Sequence, residues 1–406
     1  MTQATEILRA SRAPHRRIFG AICAAHFVSH YYILLLAPLL PFVRSEYGVS
    51  YTEIGLALAA FNVVSAALQT PAGFLVDWLG ARVLLIVGLA IGAGAFVIAG
   101  LVDSFWMLVA MFALAGVGNT VYHPADYALL SQHVPPKGIG QAFSVHTFAG
   151  MLGSAVAPAS LLLMHNIWGW RGAFIGAGIL GFAVAAILLA VRDNAPASAQ
   201  APPPRASADK SPAGWRLLVS APILLNLFFF MLLALMSGGV YNYSAVALGA
   251  LYGTSLATAN LALSGHLFMA AIGVLVGGLI ATRTSRHALV AALGLGAIAL
   301  VTMLIGNVDL GSLLIVVAMT VGGFFFGVIM PSRDMIVREI TPPGSFGKVF
   351  GFVTTGFNIG GIISPLIFGA IMDQGSPRLV FLLVAGFSLI GIVTVVTGPR
   401  RPAATR

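Results

Sequence analysis

Apolar residues in this chain do not alternate with polar ones at a period of two. They run on for about 20 positions at a time and are then interrupted by short polar turns containing Gly and Pro. A run of about 20 residues is the length an α-helix needs to cross the hydrocarbon of a bilayer, where each backbone polar group must be satisfied within the segment. The pattern predicts about twelve such helices, at 18–43, 52–76, 83–102, 105–131, 139–164 and 170–192, then 218–248, 255–282, 287–306, 311–338, 346–372 and 378–398.

The second six repeat the first. Gly116 to Phe143 matches Gly323 to Phe350 without a gap at a shift of 207 residues, with Pro124 on Pro331, Pro135-Pro136 on Pro342-Pro343, Gly140 on Gly347 and Phe143 on Phe350. The same shift carries Gly153 to Gly360, Pro158 to Pro365, Arg171 to Arg378 and Phe174 to Phe381. A tandem duplication follows, with one bundle over 1–192, a connecting segment over 193–214 and a second bundle over 215–406. The segment around Ala201-Pro202-Pro203-Pro204 is rich in Ala, Pro and Ser without apolar periodicity, the composition of a mobile linker.

Composition agrees with a lipid-facing surface: 59% of residues are hydrophobic and 8% charged, against about 25% charged in soluble domains. The net charge of +9 raises the possibility of a nucleic-acid partner, but its residues lie in short loops, as the positive-inside rule predicts. Arg9, Arg12, Arg16, Arg17, Arg82, Lys137, Arg192, Arg283, Arg286 and Lys348 fall on one side, whereas Arg44, Arg171 and Arg378 fall on the other. Topology replaces nucleic acid as the explanation, and it predicts cytoplasmic termini in a plasma membrane of bacterial inner-membrane type. The first apolar run is too long for a signal peptide and lacks a small-residue cleavage site. Cys23 is the sole cysteine, which leaves neither a disulfide nor a thiolate metal site.

Between spans 2 and 3 lies Gly73-Phe74-Leu75-Val76-Asp77-Trp78-Leu79-Gly80-Ala81-Arg82. The glycines permit a tight turn and close helix approach, and Asp77 suits a helix N-terminus. The run resembles the signature of the major facilitator superfamily, with Gly73, Leu75, Asp77, Gly80 and Arg82 in place and Trp78 and Ala81 at two usually basic positions. The resemblance implies an all-α membrane protein of twelve transmembrane helices in two six-helix pseudo-symmetric bundles. It also implies a secondary transporter, with Gly73, Asp77, Gly80 and Arg82 forming a conformational latch against the start of span 11, near 347–351. The second copy, Gly277 to Arg286, lacks the Asp. No nucleotide-binding loop, zinc-protease helix or hydrolase elbow is present, so neither an enzyme nor a cofactor is expected.

Charges inside a bilayer are expensive and mark function by default. Asp126 in span 4 and Arg333 in span 10 are equivalent under the shift and opposite in sign, which predicts a cytoplasmic gate made of Asp126, Arg333 and Asp334. The alternative is local compensation, with Arg333 paired to Asp334. His26 and His30, four apart on span 1, join His123, His146 and His266 as imidazoles able to carry a coupling proton or meet an anionic substrate. Each is equally open to a structural role on a backbone carbonyl. Two histidines four apart also suit a transition metal, but no carboxylate lies nearby in sequence, and no metal site is assigned.

His123-Pro124 after Gly116-x-Gly118 resembles bacterial exporters of the fosmidomycin-resistance type. Tyr31, Gln69, Asn119, Tyr122, Tyr241, Asn242, Tyr243 and Asn358 complete a predicted polar lining for substrate; for the span 7 tyrosines an interfacial anchor is the competing role. Ser237-Gly238-Gly239 beside them permits span 7 to bend. Gly150, Gly153, Ala157 and Pro158 form a partial antiporter signature with Ala157 in place of its last glycine, and the same residues serve tight packing.

The expected protein is a monomeric, proton-coupled secondary transporter of a small polar or amphiphilic organic solute, with export favoured. An uptake permease for an organic anion such as a carboxylate, a non-transporting membrane sensor and a lipid flippase are the alternatives.

Overall fold

The computed structural model describes residues 3–134, 139–191, 214–342 and 345–398, with side chains masked at 3–16, 140, 214–215 and 346–348. The linker expected at 193–214 therefore lies outside the described residues but for Gly214, as do Pro135-Pro136 and Pro343 of the repeat. All regular structure among the described residues is helical: α1 (Gln3–Ile33), α2 (Leu40–Tyr47), α3 (Tyr51–Leu79), α4 (Ala81–Leu101), α5 (Phe105–Asn119), α6 (Tyr122–His133), α7 (Ile139–Ala190), α8 (Gly214–Leu218), α9 (Ala221–Gly238), α10 (Ser244–Tyr252), α11 (Leu256–Arg283), α12 (His287–Asn307), α13 (Gly311–Ile340), α14 (Phe346–Asp373) and α15 (Arg378–Thr397). Among the described residues, eleven helical stretches are long and apolar enough to cross a membrane. One, α7, runs through 52 residues and is broken at Gly169 (φ 71°, ψ 172°), so it supplies two spans and the total is twelve.

Three breaks within spans have local causes. Pro38 has no N–H to bond the Leu34 carbonyl, and span 1 gives way to a single 3₁₀ turn at Ala37–Leu39 before α2 resumes. Pro124 does the same to Thr120, and span 4 divides into α5 and α6 around Thr120 and Val121. In span 7 the backbone widens into a π turn at Gly239–Tyr243, directly after Ser237-Gly238, where the small residues permit it. Asn242 secures this turn by donating to the Gly238 carbonyl at 3.2 Å.

The helices fall into two compact units, residues 1–35 with 60–207 and residues 36–59 with 208–406. In the first, α1 and α4 pack on α7 and α4 on α5. In the second, α11 packs on α13, α9 on α14 and α12 on α15 and α13. The α11–α13 contact is backbone against backbone: a Cβ at Gly277 would come within 2.5 Å of the Val328 carbonyl oxygen. Small residues at helix contacts permit such approach in lipid, where dispersion and not water exclusion drives association.

Arg82 points back within its own unit. Its guanidinium donates to the carbonyls of Leu188 (2.6 Å), Leu189 (3.3 Å) and Val191, capping the C-terminal end of α7. It thus ties the start of span 3 to the end of span 6, a role the latch reading did not include. Asp77 is exposed, as are Phe74 and Trp78 beside it. Arg171 bonds the Val102 carbonyl (2.6 Å) and Asp103 (2.8 Å) and covers Trp170, joining the opposite ends of spans 3 and 6.

The N-terminus of α3, which belongs to the second unit, has every one of its first donors satisfied. Ser50 and Glu53 form a reciprocal capping box, Ser50 N–H to Glu53 Oε2 at 2.7 Å and Glu53 N–H to Ser50 Oγ at 3.1 Å. The remaining two N–H groups, from Tyr51 and Thr52, donate to the Asp373 carboxylate at 2.7 and 2.8 Å, and the Thr52 hydroxyl adds a third bond at 2.6 Å. Close by, the Tyr243 hydroxyl donates to the Pro365 carbonyl at 2.7 Å. Asp373→Ala is therefore expected to destabilise the second unit by about 1 kcal/mol, the usual cost of a lost N-cap. Asp373→Asn, which keeps an acceptor oxygen without the charge, should fall between. Thermal unfolding of the detergent-solubilised protein measures the order.

Candidate functional site

The polar residues predicted from sequence separate into one cluster and several structural bonds. The cluster lies in the first unit. Asp126, in the first turns of α6, is fully buried, and its carboxylate faces His26 of α1 and His146 of α7. His26 Nδ1 stands 3.3 Å and His146 Nε2 3.5 Å from Asp126 Oδ2. The two imidazoles stack on each other, centroids 3.8 Å apart and planes 23° from parallel. His30 lies edge-on to His26 at 4.7 Å, His123 at 5.5 Å. The five side chains form a gradient of burial: Asp126, His26 and His146 are buried, His30 is half-buried and His123 is exposed.

Helix geometry explains the convergence. His26 and His30 are four apart and share one face of α1, and the break before α6 turns His123 and Asp126, three apart, toward that face. Gly150 makes room for the rings. A Cβ there would lie 2.5 Å from His26 Cδ2, 2.7 Å from His26 Nε2 and 2.8 Å from His30 Cδ2. Ser154, one turn further along α7, lies within hydrogen-bond distance of His30, Oγ to Nδ1 at 3.3 Å. Gly150 and Ser154 thus belong to the site although sequence reading gave the first to packing and omitted the second; their four-residue spacing opposite His26 and His30 was the available signal.

The chemistry of the cluster follows from charge. Asp126 Oδ1 and Oδ2 make no aligned hydrogen bond among the described residues, and no Lys or Arg stands within ion-pair distance of it. A bare carboxylate in such a place is an uncompensated buried charge, which costs several kcal/mol. The group must therefore hold a proton, on the carboxyl or on an adjoining imidazole, unless water reaches it. Three ligand atoms, one each from His26, Asp126 and His146, also lie within 4.8 Å of one another. The stacked rings argue against a metal, because in-plane lone pairs of nearly parallel imidazoles run side by side and do not converge on one ion. As arranged, the set has the geometry to hold a proton between a carboxylate and two imidazoles.

The charges expected at the gate find neighbours inside their own units, as the alternative of local compensation had it for Arg333, while Asp126 faces imidazoles. Arg333 is paired with adjacent Asp334, Nε and Nη2 at 2.9 and 2.7 Å from Oδ1. Its guanidinium lies over the rings of Phe230 (4.5 Å) and Phe357 (5.1 Å). Arginine stacked in this way satisfies its charge inside its own unit.

Several of the other candidates have settled partners. His266 Nδ1 contacts the Met319 carbonyl at 3.0 Å, Tyr31 bonds Ser160 at 2.9 Å and Asn119 donates to Ser65 at 3.3 Å. Tyr243 is committed to Pro365 and Asn242 to the π turn. Tyr241 is half-buried with its ring 5.9 Å from His266. Tyr122 is buried with its hydroxyl unpartnered among the described residues, Asn358 is half-buried and Gln69 is exposed. Of the latch residues, the expected partner region at 347–351 includes positions 347 and 348, whose side chains lie outside the described residues.

Comparison with known proteins places this geometry. The family model described as Major Facilitator Superfamily matches residues 22–249 and 227–406. The chain is 24% identical over 384 residues to the Fosmidomycin resistance protein of Escherichia coli (strain K12), covering 93% of this chain and 92% of that one. It is 25% identical over 411 residues to the Probable sulfoacetate transporter SauU of Cupriavidus necator, covering 92% and 91%. Among solved structures, the nucleoside transporter NupG superposes with a TM-score of 0.78 at 15% identity, over 95% of this chain and 98% of that chain. Two halves of six spans, the Gly73–Arg82 run and a family match that covers both halves agree: this chain belongs to the Major Facilitator Superfamily.

Proposed function

We propose that this protein is a proton-coupled secondary transporter in which Asp126, shared between His26 and His146, carries the coupling proton. The observation that supports this is a fully buried carboxylate whose facing groups are imidazoles and not a fixed cation. A Lys or Arg partner would neutralise Asp126 permanently. Histidines leave its charge state dependent on a proton, and alternating access, the general mode of repeat-built transporters, provides the moments at which water reaches the site and the proton leaves.

Transfer would proceed along the burial gradient. His123 exchanges its proton at the surface of the unit, His30 and His26 relay it, and Asp126 with His146 holds it. The titratable groups on the packed elements are His26, His30 and Cys23 from α1, Tyr122, His123 and Tyr127 from α6, and His146 from α7. None of these is a permanent cation. The cargo is a small polar or amphiphilic organic solute, and export is favoured over uptake. The partial antiporter signature at Gly150 to Pro158 and the resistance protein among the relatives support that direction; the second reading is an uptake permease for an organic anion such as a carboxylate, the class of cargo named by the relative described as a probable sulfoacetate transporter. The arginine distribution supports cytoplasmic termini.

Everted vesicles holding a pH gradient, screened with organic acids and antimicrobials while a pH-sensitive dye reports proton movement, test the coupling. Wild type should dissipate the gradient on addition of a transported compound, whereas Asp126→Asn should lose that response by more than about tenfold, or about 1.4 kcal/mol of coupling. The same variant should retain exchange of labelled compound at equal pH. Proton movement unaffected by Asp126→Asn would overturn the assignment.

A second outcome separates geometry from charge. Gly150→Ala keeps every titratable group yet pushes both imidazoles off their positions, so coupled transport should fall about tenfold or more while the protein remains folded. Equal pH dependence in Gly150→Ala and wild type would show that ring placement is irrelevant.

A further inference from the structure

The second unit contains a cavity that the transport reading does not use. It encloses about 360 Å³, within the range of small-ligand pockets, and is built where four spans end together: the start of α9, the start of α12 and the last turns of α13 and α15. Spans that begin and end at one level mark the depth of the lipid headgroups. The basic residues Arg283, Arg286 and Arg338 occupy the same level.

Its lining is amphipathic in an ordered way. Leu225, Phe229, Ile336 and Ile340 supply an apolar wall. Arg286 and Glu339, both exposed, supply one cation and one anion at the lining. Among the described residues Arg286 has no acidic partner within 4.0 Å, whereas Glu339 stands 3.7 Å from buried His287. Asn226 is the buried polar group of the wall, 7% exposed. Its amide N–H donates to the Pro222 carbonyl at 2.9 Å, and among the described residues nothing donates to its Oδ1. An acceptor without a donor on a residue that lines a cavity can take one from a ligand.

We propose that this cavity binds the headgroup of an ethanolamine phospholipid. The phosphodiester meets Arg286, the ammonium donates to Glu339 and to Asn226 Oδ1, and the first carbons of the acyl chains lie along Leu225, Phe229, Ile336 and Ile340. The chemistry selects among lipids. A glycerol headgroup brings no cation to Glu339, and a choline headgroup has a cation without an N–H for Asn226. The volume suits a headgroup and the carbons next to it, with the chains passing out to the bilayer. This site is independent of the proton cluster, which lies in the other unit.

The test uses the full chain, delipidated in a maltoside detergent and titrated with short-chain phosphatidylethanolamine, phosphatidylcholine, phosphatidylglycerol and soluble glycerophosphoethanolamine. Native mass spectrometry reads the bound fraction. The ethanolamine lipid should be retained about tenfold better than the other two lipids, a preference equivalent to about 1.4 kcal/mol, and far better than the soluble headgroup. Arg286→Ala and Glu339→Gln, both at exposed positions, should each remove the preference without shifting the unfolding midpoint measured in the absence of lipid. Equal retention of the three lipids, a preference that survives both substitutions, or binding of glycerophosphoethanolamine as strong as that of the lipid would each overturn the proposal.

Discussion

Hydrocarbon does not tolerate a lone charge, and the charges within the spans of this protein are arranged to obey that constraint inside their own neighbourhoods. Arg333 takes Asp334 as counter-ion and two aromatic faces as cover. Near the span ends, Arg82 meets carbonyl oxygens at the end of α7, Arg171 meets Asp103, and Asp373 spends its charge on the free N–H groups of α3. Asp126 differs because its partners are imidazoles. In the proposed cycle its neutrality is conditional on a proton, a condition that can be met or broken as coupling requires.

The backbone makes that arrangement possible. Gly150 leaves space for two histidine rings between α1 and α7, and Gly153 one turn on brings α7 onto the backbone of Phe27. A bundle held by close contact can bring five titratable side chains within a few ångströms of their neighbours. The same residues read from sequence as an antiporter motif or as packing, and the structure gives them a third effect: the small residues determine where the imidazoles stand. Packing and chemistry are here one feature.

Most of the fold was legible because its signals are local or periodic. Apolar run length located the spans, the 207-residue shift showed the halves, and Ser237-Gly238-Gly239 marked the irregular part of span 7. The members of the cluster were all identified, but Asp126 was matched to Arg333 because symmetry makes them equivalent. Equivalence under a repeat says which positions correspond, and it does not say which side chains touch. Contact is determined by the pairing of α1 with α6 and α7, which brings residues 26, 126 and 146 together across separations that no sequence period encodes. The Asp373 cap was invisible for the same reason, since its donors lie more than 300 positions away.

The repeat regains its value once contacts are known. A Cβ on Gly153 would meet Phe27, and one on Gly360 would meet Ala234, so the 207-residue shift holds between the contacts of spans 1 and 5 and those of spans 7 and 11. Under that shift Cys23, His123, Asp126, His146 and Gly150 become Phe230, Met330, Arg333, Val353 and Phe357. Three of these, Phe230, Met330 and Phe357, are the groups that enclose the Arg333 guanidinium. The two halves therefore use one niche in opposite ways. In the first a glycine opens room for histidines around a carboxylate; in the second a phenylalanine replaces the glycine, Leu233, Met330 and Val353 replace His26, His123 and His146, Ser237 replaces His30, and the ion is a guanidinium that stays charged at any physiological pH. A duplicated bundle with two protonatable niches would have to coordinate two titrations, whereas this arrangement leaves one side switchable and the other fixed. Under the proposed proton-coupled cycle, divergence between the copies, more than their likeness, is what supplies the coupling site.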